Sequence, residues 1–408
     1  MTSLKFKDLD LWLPLATLAL IVIGLVILYT ATFGDQSGLP HLFGRQLAYA
    51  AGGLILLILA ASLSPRVHFA FSYLFYIICC LLLLGVLIWG DPTKGAARWI
   101  NLGILSFQPS EPAKLALVLA LARLVTDKKF DPRKASHLLR AAIMALIPLA
   151  LVIAQPDLGT SIVFAAIFLS VIIAAGIPYA HLLILISPVL AALASVHIIS
   201  LVLYIVLLLT FTWRMRLRLG LLVLIILANL AISVGTPQLW NQLKPYQKNR
   251  LVSFIHPEAS PKGAGYQVIQ SKVAIGSGGL VGKGLGQGSQ TQLKFLPEQH
   301  TDFIFSVIGE ELGWAGATVA LALFSLLIYR GFRAAQMTKG RYSVLVCVGL
   351  ISMLTTHIFI NIGMTVGLMP VTGLPLPLLS YGGSFLWTIL IAIGLILGIQ
   401  RRWKEYTP

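Results

Sequence analysis

Long apolar runs separated by short polar stretches dominate this chain. The runs cover 11–33, 46–64, 68–90, 112–125, 140–155, 158–176, 180–212, 218–236, 303–329, 343–368 and 385–400. About 20 apolar residues are what an α-helix needs to cross the hydrocarbon core of a bilayer. The pattern therefore predicts an all-α polytopic membrane protein, a single membrane domain with about ten core transmembrane helices.

The run at 180–212 is too long for one ordinary span, and Arg214, Arg216 and Arg218 follow it. Cytoplasmic loops carry an excess of Lys and Arg, so a single span here would place this basic cluster outside. We expect two short helices broken near 195–200, an inserted hairpin that keeps the cluster inside. A tilted single helix and a re-entrant loop are the alternatives.

Composition supports the membrane assignment. The chain has 408 residues, of which 58% are hydrophobic and 11% charged, whereas a soluble domain carries about 25% charged residues. A soluble enzyme and a disordered chain are thereby excluded. The net charge of +16 follows the positive-inside rule, because Lys and Arg crowd 126–140, 330–341 and 401–404. We expect a multi-pass membrane protein with cytoplasmic termini and no nucleic-acid partner.

The longest non-apolar stretch, 237–302, is then one large extracytoplasmic loop. It is basic despite this location, and it is rich in glycine. Glycine lets backbone N–H groups approach phosphate oxygens, and lysine supplies the charge. We expect this loop to attract an anionic partner such as the phosphate of a lipid headgroup. The alternative is that long loops cross the membrane regardless of charge.

Two polar groups interrupt the apolar pattern near outer helix ends. Ser110 is expected to cap a helix that begins near residue 112, and Glu111 can pair with Lys114 on the same helical face. Asp157 lies in a turn between two apolar runs, and Arg98 precedes both groups. Ionisable residues at a membrane boundary are candidates for function. A structural ion pair and an N-capped turn are the alternatives.

The segment 367–384 holds three prolines and four glycines. Non-helical backbone at a membrane edge is tolerated only where protein buries it or where it lines a cavity. The segment is therefore interpreted as a wall of a substrate groove or as a re-entrant structural turn. Isolated histidines, His357 among them, are expected to be structural. No clustered Cys/His ligand set predicts a tight metal site.

Together these groups resemble the SEDS family (shape, elongation, division and sporulation), closest to its rod-shape branch. The motifs are RW at 98–99, QPSE at 108–111, QPDLGT at 155–160, GAGYQ at 263–267, IGSGG at 275–279, LPEQHTDFIF at 296–305 and PLPLLSYGGS at 375–384. The resemblance implies a peptidoglycan glycosyltransferase that polymerises lipid II outside the cytoplasmic membrane during cell elongation and releases undecaprenyl pyrophosphate. It also implies a class B penicillin-binding protein and the elongation machinery as partners.

The family pattern Pro-Glu-x-Asp-Pro contains an aspartate regarded as catalytic, and residues 257–261 depart from it. They read PEASP, so Ser260 stands at the aspartate position. A serine hydroxyl is no general base near neutral pH without an activator. Three hypotheses follow: Glu258 acts as the base, another outer acid such as Asp302 or Glu298 does so, or the chain is an inactive scaffold that activates a penicillin-binding protein.

The candidate catalytic residues are therefore Ser260, Glu258 and Asp302. The candidate substrate-binding residues are Arg98, Glu111, Lys114, Asp157, Lys244, Lys262, Gln267, Lys272, Lys283, Glu298, His300, Ser380 and Tyr381. A divalent cation (Mg or Mn) between pyrophosphate and carboxylates is a further expectation without a visible ligand set. The main alternative function is a lipid II flippase or transporter. It is disfavoured because the ionisable residues cluster on the outer side rather than at the bilayer midplane.

Overall fold

The computed structural model describes residues 11–32, 40–89, 98–101, 106–214, 219–242, 245–256, 263–293 and 295–402, which form sixteen helices and one small hairpin. The first eight helices are α1 Trp12–Thr32, α2 Pro40–Ser62, α3 Pro65–Trp89, α4 Ser110–Thr126, α5 Ala135–Ala154, α6 Leu158–Ala174, α7 Tyr179–Ala194 and α8 Ile198–Arg214. The others are α9 Leu219–Gln242, α10 Pro245–Ile255, α11 Ala264–Ser277, α12 Ser289–Gln292, α13 Ile304–Glu311, α14 Gly313–Met337, α15 Arg341–Thr365 and α16 Gly383–Arg401. Strands β1 (Ile100–Asn101) and β2 (Ser106–Phe107) pair antiparallel.

Within the described ranges, seven helices are long and apolar enough to cross a membrane: α1, α2, α3, α5, α14, α15 and α16. Helices α6, α7, α8 and part of α9 are shorter apolar helices. The prediction of an all-α polytopic membrane protein is confirmed, and the chain passes the membrane several times. The exact number of spans stays a prediction.

Helices α15 and α16 are the most enclosed of these spans. Helix α15 packs against α4, α6 and α14, and α16 packs along α2. Glycine makes the α2–α16 approach possible. A Cβ atom at Gly394 would lie 2.4 Å from the Leu57 carbonyl oxygen, and one at Gly398 would lie 2.9 Å from that of Ala61. Small residues commonly let membrane helices pack this closely.

The run at 180–212 is divided into α7 and α8 by a break at 195–197. The hydroxyl of Tyr204 on α8 lies 2.7 Å from the Ser187 carbonyl oxygen on α7 and 2.7 Å from Asn229 Oδ1 on α9. The two helices therefore fold back on each other as a hairpin that packs on α9. That this hairpin is an insertion stays a prediction.

The stretch 237–302, predicted as one large extracytoplasmic loop, is largely helical in its described part, and its location outside the membrane stays a prediction. It contains the end of α9 and the helices α10, α11 and α12. In α11 the buried residues are Gly265, Val268, Ser271 and Ala274, which recur every third position and form one helical face. This period is hidden in the sequence because two of the four positions carry the small residues Gly and Ala and one carries Ser.

Candidate functional site

The non-helical backbone between α15 and α16, residues 366–382, is largely buried by protein. From α15, Asn361 Nδ2 donates to the Leu374 carbonyl oxygen at 2.7 Å. From α2, Gln46 Nε2 donates to the Ser380 carbonyl oxygen at 3.2 Å, and the Gly382 N–H donates to Gln46 Oε1 at 3.1 Å. Side chains of the surrounding helices thus satisfy polar backbone groups that lipid could not.

A tight turn at 298–303 docks on the 366–382 segment. The carbonyl of Glu298 accepts three backbone N–H groups from the end of the turn. The Tyr381 N–H donates to the His300 carbonyl oxygen at 2.9 Å, and Ser380 Oγ donates to that of Thr301 at 2.5 Å. The His300 and Tyr381 rings meet edge to face at 6.0 Å. Four predicted site residues are therefore brought together. Burial raises the pKa of the Tyr381 phenol, so this group stays protonated.

A small cavity of about 30 Å³ lies where α10 and α11 cover the same segment. Arg250 on α10 and Lys272 on α11 form its cationic walls, opposite Gly367 and residues 369–371. Arg250 Nη1 donates to the Thr372 carbonyl oxygen at 3.1 Å. A Cβ atom at Gly367 would come within 2.6 Å of Lys272 Nζ, so the glycine leaves room for the ammonium group.

Asp302 lies near Arg250, beside Gly373. A Cβ atom built on Gly373 would stand 3.4 Å from Asp302 Oδ2 and 3.8 Å from both terminal nitrogens of the Arg250 guanidinium. The backbone of Gly373 has φ +76, a conformation that favours glycine. A carboxylate and a guanidinium thus flank one glycine at the edge of the cavity.

Glu111 and Lys114 form a buried ion pair on α4, with Lys114 Nζ 2.9 Å from both carboxylate oxygens of Glu111. Lys114 Nζ also lies 3.0 Å from His357 Nε2 on α15. The structural alternative fits this arrangement, and a substrate contact for either residue stays a prediction. The expected cap is wrong: α4 begins at Ser110 itself, Pro109 occupies the N-cap, and no side chain caps the helix.

Arg98 and Asp157 hold the turn between α5 and α6. Arg98 Nε donates to the Gln155 carbonyl oxygen at 3.2 Å, a second guanidinium nitrogen bonds the Pro156 carbonyl, and Nη1 lies 3.9 Å from Asp157 Oδ2. Asp157 caps α6, because its Oδ1 accepts the Thr160 N–H at 3.1 Å. The N-capped turn is present, and a binding role for this pair stays a prediction.

Lys283 is engaged in an ion pair that the sequence did not indicate. Its Nζ lies 2.8 Å from Glu310 Oε1 and 2.8 Å from Ser289 Oγ. Glu310 also accepts the N–H groups of Gln290 and Thr291 at 2.9 and 3.1 Å. Burial raises the pKa of Glu310, but these hydrogen bonds outweigh it and lower the pKa overall. Phosphate binding by Lys283 would require this pair to open, and it stays a prediction.

The remaining predictions are distributed as follows. Lys244, Glu258, Ser260 and Lys262 lie outside the described residues. Gln267 is half-buried near the start of α11. In the described ranges, no group of three or more His, Cys, Asp or Glu side chains could hold a metal ion. The expected divalent cation therefore gains no ligand set from these residues.

Sequence reasoning missed Arg250, Asn361 and Gln46, which organise the site. Asn361 did carry a signal, because it is a polar residue inside an apolar run and follows His357 by four positions, on the same helical face. Arg250 carried none that separates it from its neighbour Lys248. Its role depends on contacts with residues more than 100 positions away.

The fold and the site define a polytopic helical membrane protein whose polar centre is built where a non-helical segment meets helices outside the apolar core. The chain matches the sequence model of the cell cycle protein family FTSW_RODA_SPOVE over residues 11–207 and 195–405. It belongs to this family, which confirms the resemblance noted in the sequence.

Relatives match along nearly the whole chain. "Peptidoglycan glycosyltransferase MrdB" of Escherichia coli K12 is 38% identical over 97% of this chain and 94% of its own. "Peptidoglycan glycosyltransferase RodA" of Treponema pallidum is 33% identical over 97% of this chain and 98% of its own.

Solved structures agree with these sequence matches. A chain from the work "Structural coordination of polymerization and crosslinking by a peptidoglycan synthase complex" has a TM-score of 0.74 at 33% identity, covering 97% of this chain and 99% of that one. The Thermus thermophilus rod shape determining protein RodA has a TM-score of 0.66 at 29% identity, covering 98% and 99%.

Proposed function

We propose that this chain is a peptidoglycan glycosyltransferase that polymerises lipid II into glycan strands and releases undecaprenyl pyrophosphate. The reaction takes place at the outer face of the cytoplasmic membrane during cell elongation. The proposal is supported by relatives of that name, which match nearly the full length of the chain. Both termini face the cytoplasm in the topology that the basic loops favour, which places the turn at 298–303 and the cavity outside.

The chemistry requires a base for the incoming hydroxyl and a cation for the pyrophosphate that leaves. The acceptor hydroxyl loses its proton as it attacks the anomeric carbon of the donor, which inverts that carbon without a covalent intermediate. The observation that carries the proposal is the placement of the Asp302 carboxylate and the Arg250 guanidinium against Gly373. Asp302 is the base in this proposal. Glu258 remains the competing hypothesis.

The partner in this proposal is a class B penicillin-binding protein. The solved chain with a TM-score of 0.74 belongs to a complex described as coordinating polymerization and crosslinking. The glycan strands that a polymerase makes are crosslinked by a transpeptidase at the same membrane face, and a class B penicillin-binding protein would supply that activity. The elongation machinery is the proposed context of both.

The test is a polymerisation assay on the purified protein, with and without a class B penicillin-binding protein. Labelled lipid II is added, and the product is separated on a gel. We expect a glycan ladder from the wild type and a loss of about 100-fold or more from Asp302→Asn, which removes the base. Asp131→Asn is the matched control, because Asp131 belongs to the basic loop at 126–140 on the other side of the membrane.

The outcomes separate the hypotheses of the base. Full activity of Asp302→Asn with none from Glu258→Gln would move the base to Glu258. Polymer from Ser260→Asp but not from the wild type would mean that the base is missing. No polymer from any of these proteins would contradict the proposal and favour the scaffold or the flippase.

A further inference from the structure

We infer that the cavity between α10, α11 and the 366–382 segment binds a phosphoryl group, with Arg250 and Lys272 as its cationic contacts. The ligand class is a pyrophosphate, either carried by a polyprenyl lipid or free as the inorganic anion. The assignment to the lipid carrier rests on the proposed function. The phosphoryl site itself rests on the charges, size and walls of the cavity.

The first argument is charge. At the outer end of the described structure, Lys283 is neutralised by Glu310, and Lys114 is neutralised by Glu111. Within the described ranges, neither Arg250 nor Lys272 forms an ion pair, although both line one cavity. Arg250 also approaches Asp302 beside Gly373, but the cavity is lined by two cations and by no acid, so its potential is positive and favours an anion.

The second argument is orientation. Arg250 Nη1 donates to the Thr372 carbonyl oxygen, which holds the planar guanidinium in place. A guanidinium carries five N–H donors, so most remain for a ligand. Planar pairs of such donors match phosphate oxygens well. Lys272 adds a point charge from the opposite helix, at a position that Gly367 keeps open.

The third argument is size and lining. A space of about 10–15 Å³ holds one water molecule, so about 30 Å³ admits phosphoryl oxygens but no sugar ring. The other lining side chains are Ser253, Phe254, Val268, Met369, Pro370 and Val371. None of them is acidic, so nothing in the lining opposes an anion.

The position relative to Asp302 fits a leaving group. Arg250 lines the cavity and also approaches Gly373, near which Asp302 lies. In an inverting displacement, the base and the leaving group act on opposite sides of the reacting carbon. The cavity then receives the departing pyrophosphate while Asp302 serves the incoming hydroxyl.

Binding is measured by calorimetry on the full chain in nanodiscs of uncharged lipid. One arm titrates inorganic pyrophosphate, and the other compares undecaprenyl pyrophosphate with undecaprenol. Arg250→Gln and Lys272→Gln should each weaken pyrophosphate binding by about 10-fold or more, because each removes a charge-assisted contact. Lys248→Gln is the matched control on α10. Its Nζ bonds the Asn241 carbonyl oxygen and does not line the cavity, so binding should not change.

Each outcome decides one point. Binding of the lipid pyrophosphate alone supports the carrier as the source, and binding of the inorganic anion supports a free source. Absence of both, unchanged binding in the two cavity variants, or an equal loss in the Lys248 control overturns the inference. Lys272→Arg keeps the charge and should retain binding within about threefold, which separates lost charge from misfolding. Arg250→Lys keeps the charge but loses the planar pair of donors, so its binding should fall between that of the wild type and that of Arg250→Gln.

A polymerisation assay on the same proteins keeps this inference distinct from the proposed function. If the wild type polymerises lipid II and both cavity variants do so with unchanged kcat and KM, the inference fails and the function stands. If the wild type makes no polymer but binds pyrophosphate through Arg250 and Lys272, the function fails and the phosphoryl site stands. Thermal melting confirms that every variant compared is folded.

Discussion

The buried ion pair on α4 leads to a prediction about stability, and the magnitude of the expected loss follows from the burial of both side chains. Lys114 is fully buried, and Glu111 is 3% exposed. Lys114→Met keeps most of the side-chain volume but leaves the carboxylate of Glu111 without its cation. Removing one partner of a buried pair costs about 3–5 kcal/mol, and we expect a loss of stability of that size. Glu111→Gln should cost a similar amount, because the ammonium group then faces only the neutral acceptor of His357.

The double variant Glu111→Gln/Lys114→Met removes both charges together. Replacing a buried ion pair by uncharged groups is often close to neutral, so the double variant should be more stable than either single variant. A double-mutant cycle should then give a coupling energy of about 6–10 kcal/mol, the sum of the two single losses that the double variant avoids. The free energy of unfolding is measured on the purified protein in mixed micelles at low and at high salt. The coupling should be the same at both, because salt screens exposed charges far more than buried ones.

Lys129→Met is the control for this cycle, because Lys129 is exposed and its replacement should change stability by less than about 0.5 kcal/mol. Single variants as stable as the wild type would refute the reasoning, as would a double variant whose loss equals the sum of the two singles. A double variant that is stable but makes no polymer would instead assign the pair to the substrate.

Three further predictions concern the packing around the site. Gly278→Ala should destabilise the protein by about 1–3 kcal/mol or more, because its Cβ would stand 1.9 Å from a backbone carbonyl oxygen of α13. The control Gly276→Ala, whose Cβ would meet nothing within 4 Å, should be neutral or slightly stabilising. The stability of both variants is measured by thermal melting. Glu310→Gln should cost about 2 kcal/mol of stability at pH 7. Because the pKa of Glu310 is lowered in the fold, its stabilisation is present above the ordinary carboxyl pKa of 4.5 and is lost as pH falls through the lower folded value. A difference in unfolding free energy between variant and wild type that is equal at pH 7 and at acid pH would contradict this prediction. Asn361→Ala should lower kcat for polymerisation more than it raises KM, because the amide holds the backbone of the turn and of the buried segment rather than the substrate; unchanged kinetics would exclude this role.

The membrane helices could be predicted because each apolar run is long enough to carry its own signal. The same reasoning divided 180–212 correctly, since the basic cluster after it constrained the topology. Helices α10 and α11 escaped prediction because they are short and most of their buried positions are small or polar. These positions are Gln247 and Ser253 in α10, and Gly265, Ser271 and Ala274 beside Val268 in α11. The helical form of both segments depends on what they cover, and that surface lies about 100 residues further along the chain.

Individual charges were harder to interpret than helices. Lys283 and Lys272 look alike in the sequence, as basic residues in a glycine-rich stretch. The structure separates them: Lys283 pairs with Glu310, whereas Lys272 lines the cavity beside Gly367 and has no ion pair with another described residue. No local pattern could distinguish the two, since each partner comes from a distant part of the chain. The identity of the catalytic base stays a prediction, because Glu258 and Ser260 lie outside the described residues.

The way the 366–382 segment is held has a consequence for biosynthesis. Its contacts come from α2, α10, α11, α15 and the turn at 298–303, so they are available only after nearly the whole chain has been made. Until α16 has entered the bilayer, the segment has no neighbours on its C-terminal side. The buried 366–382 segment is therefore among the last parts of the molecule to reach its final contacts. A ribosome that stalls before α16 would leave inserted helices in the membrane whose 366–382 segment lacks the helix that closes it on its C-terminal side.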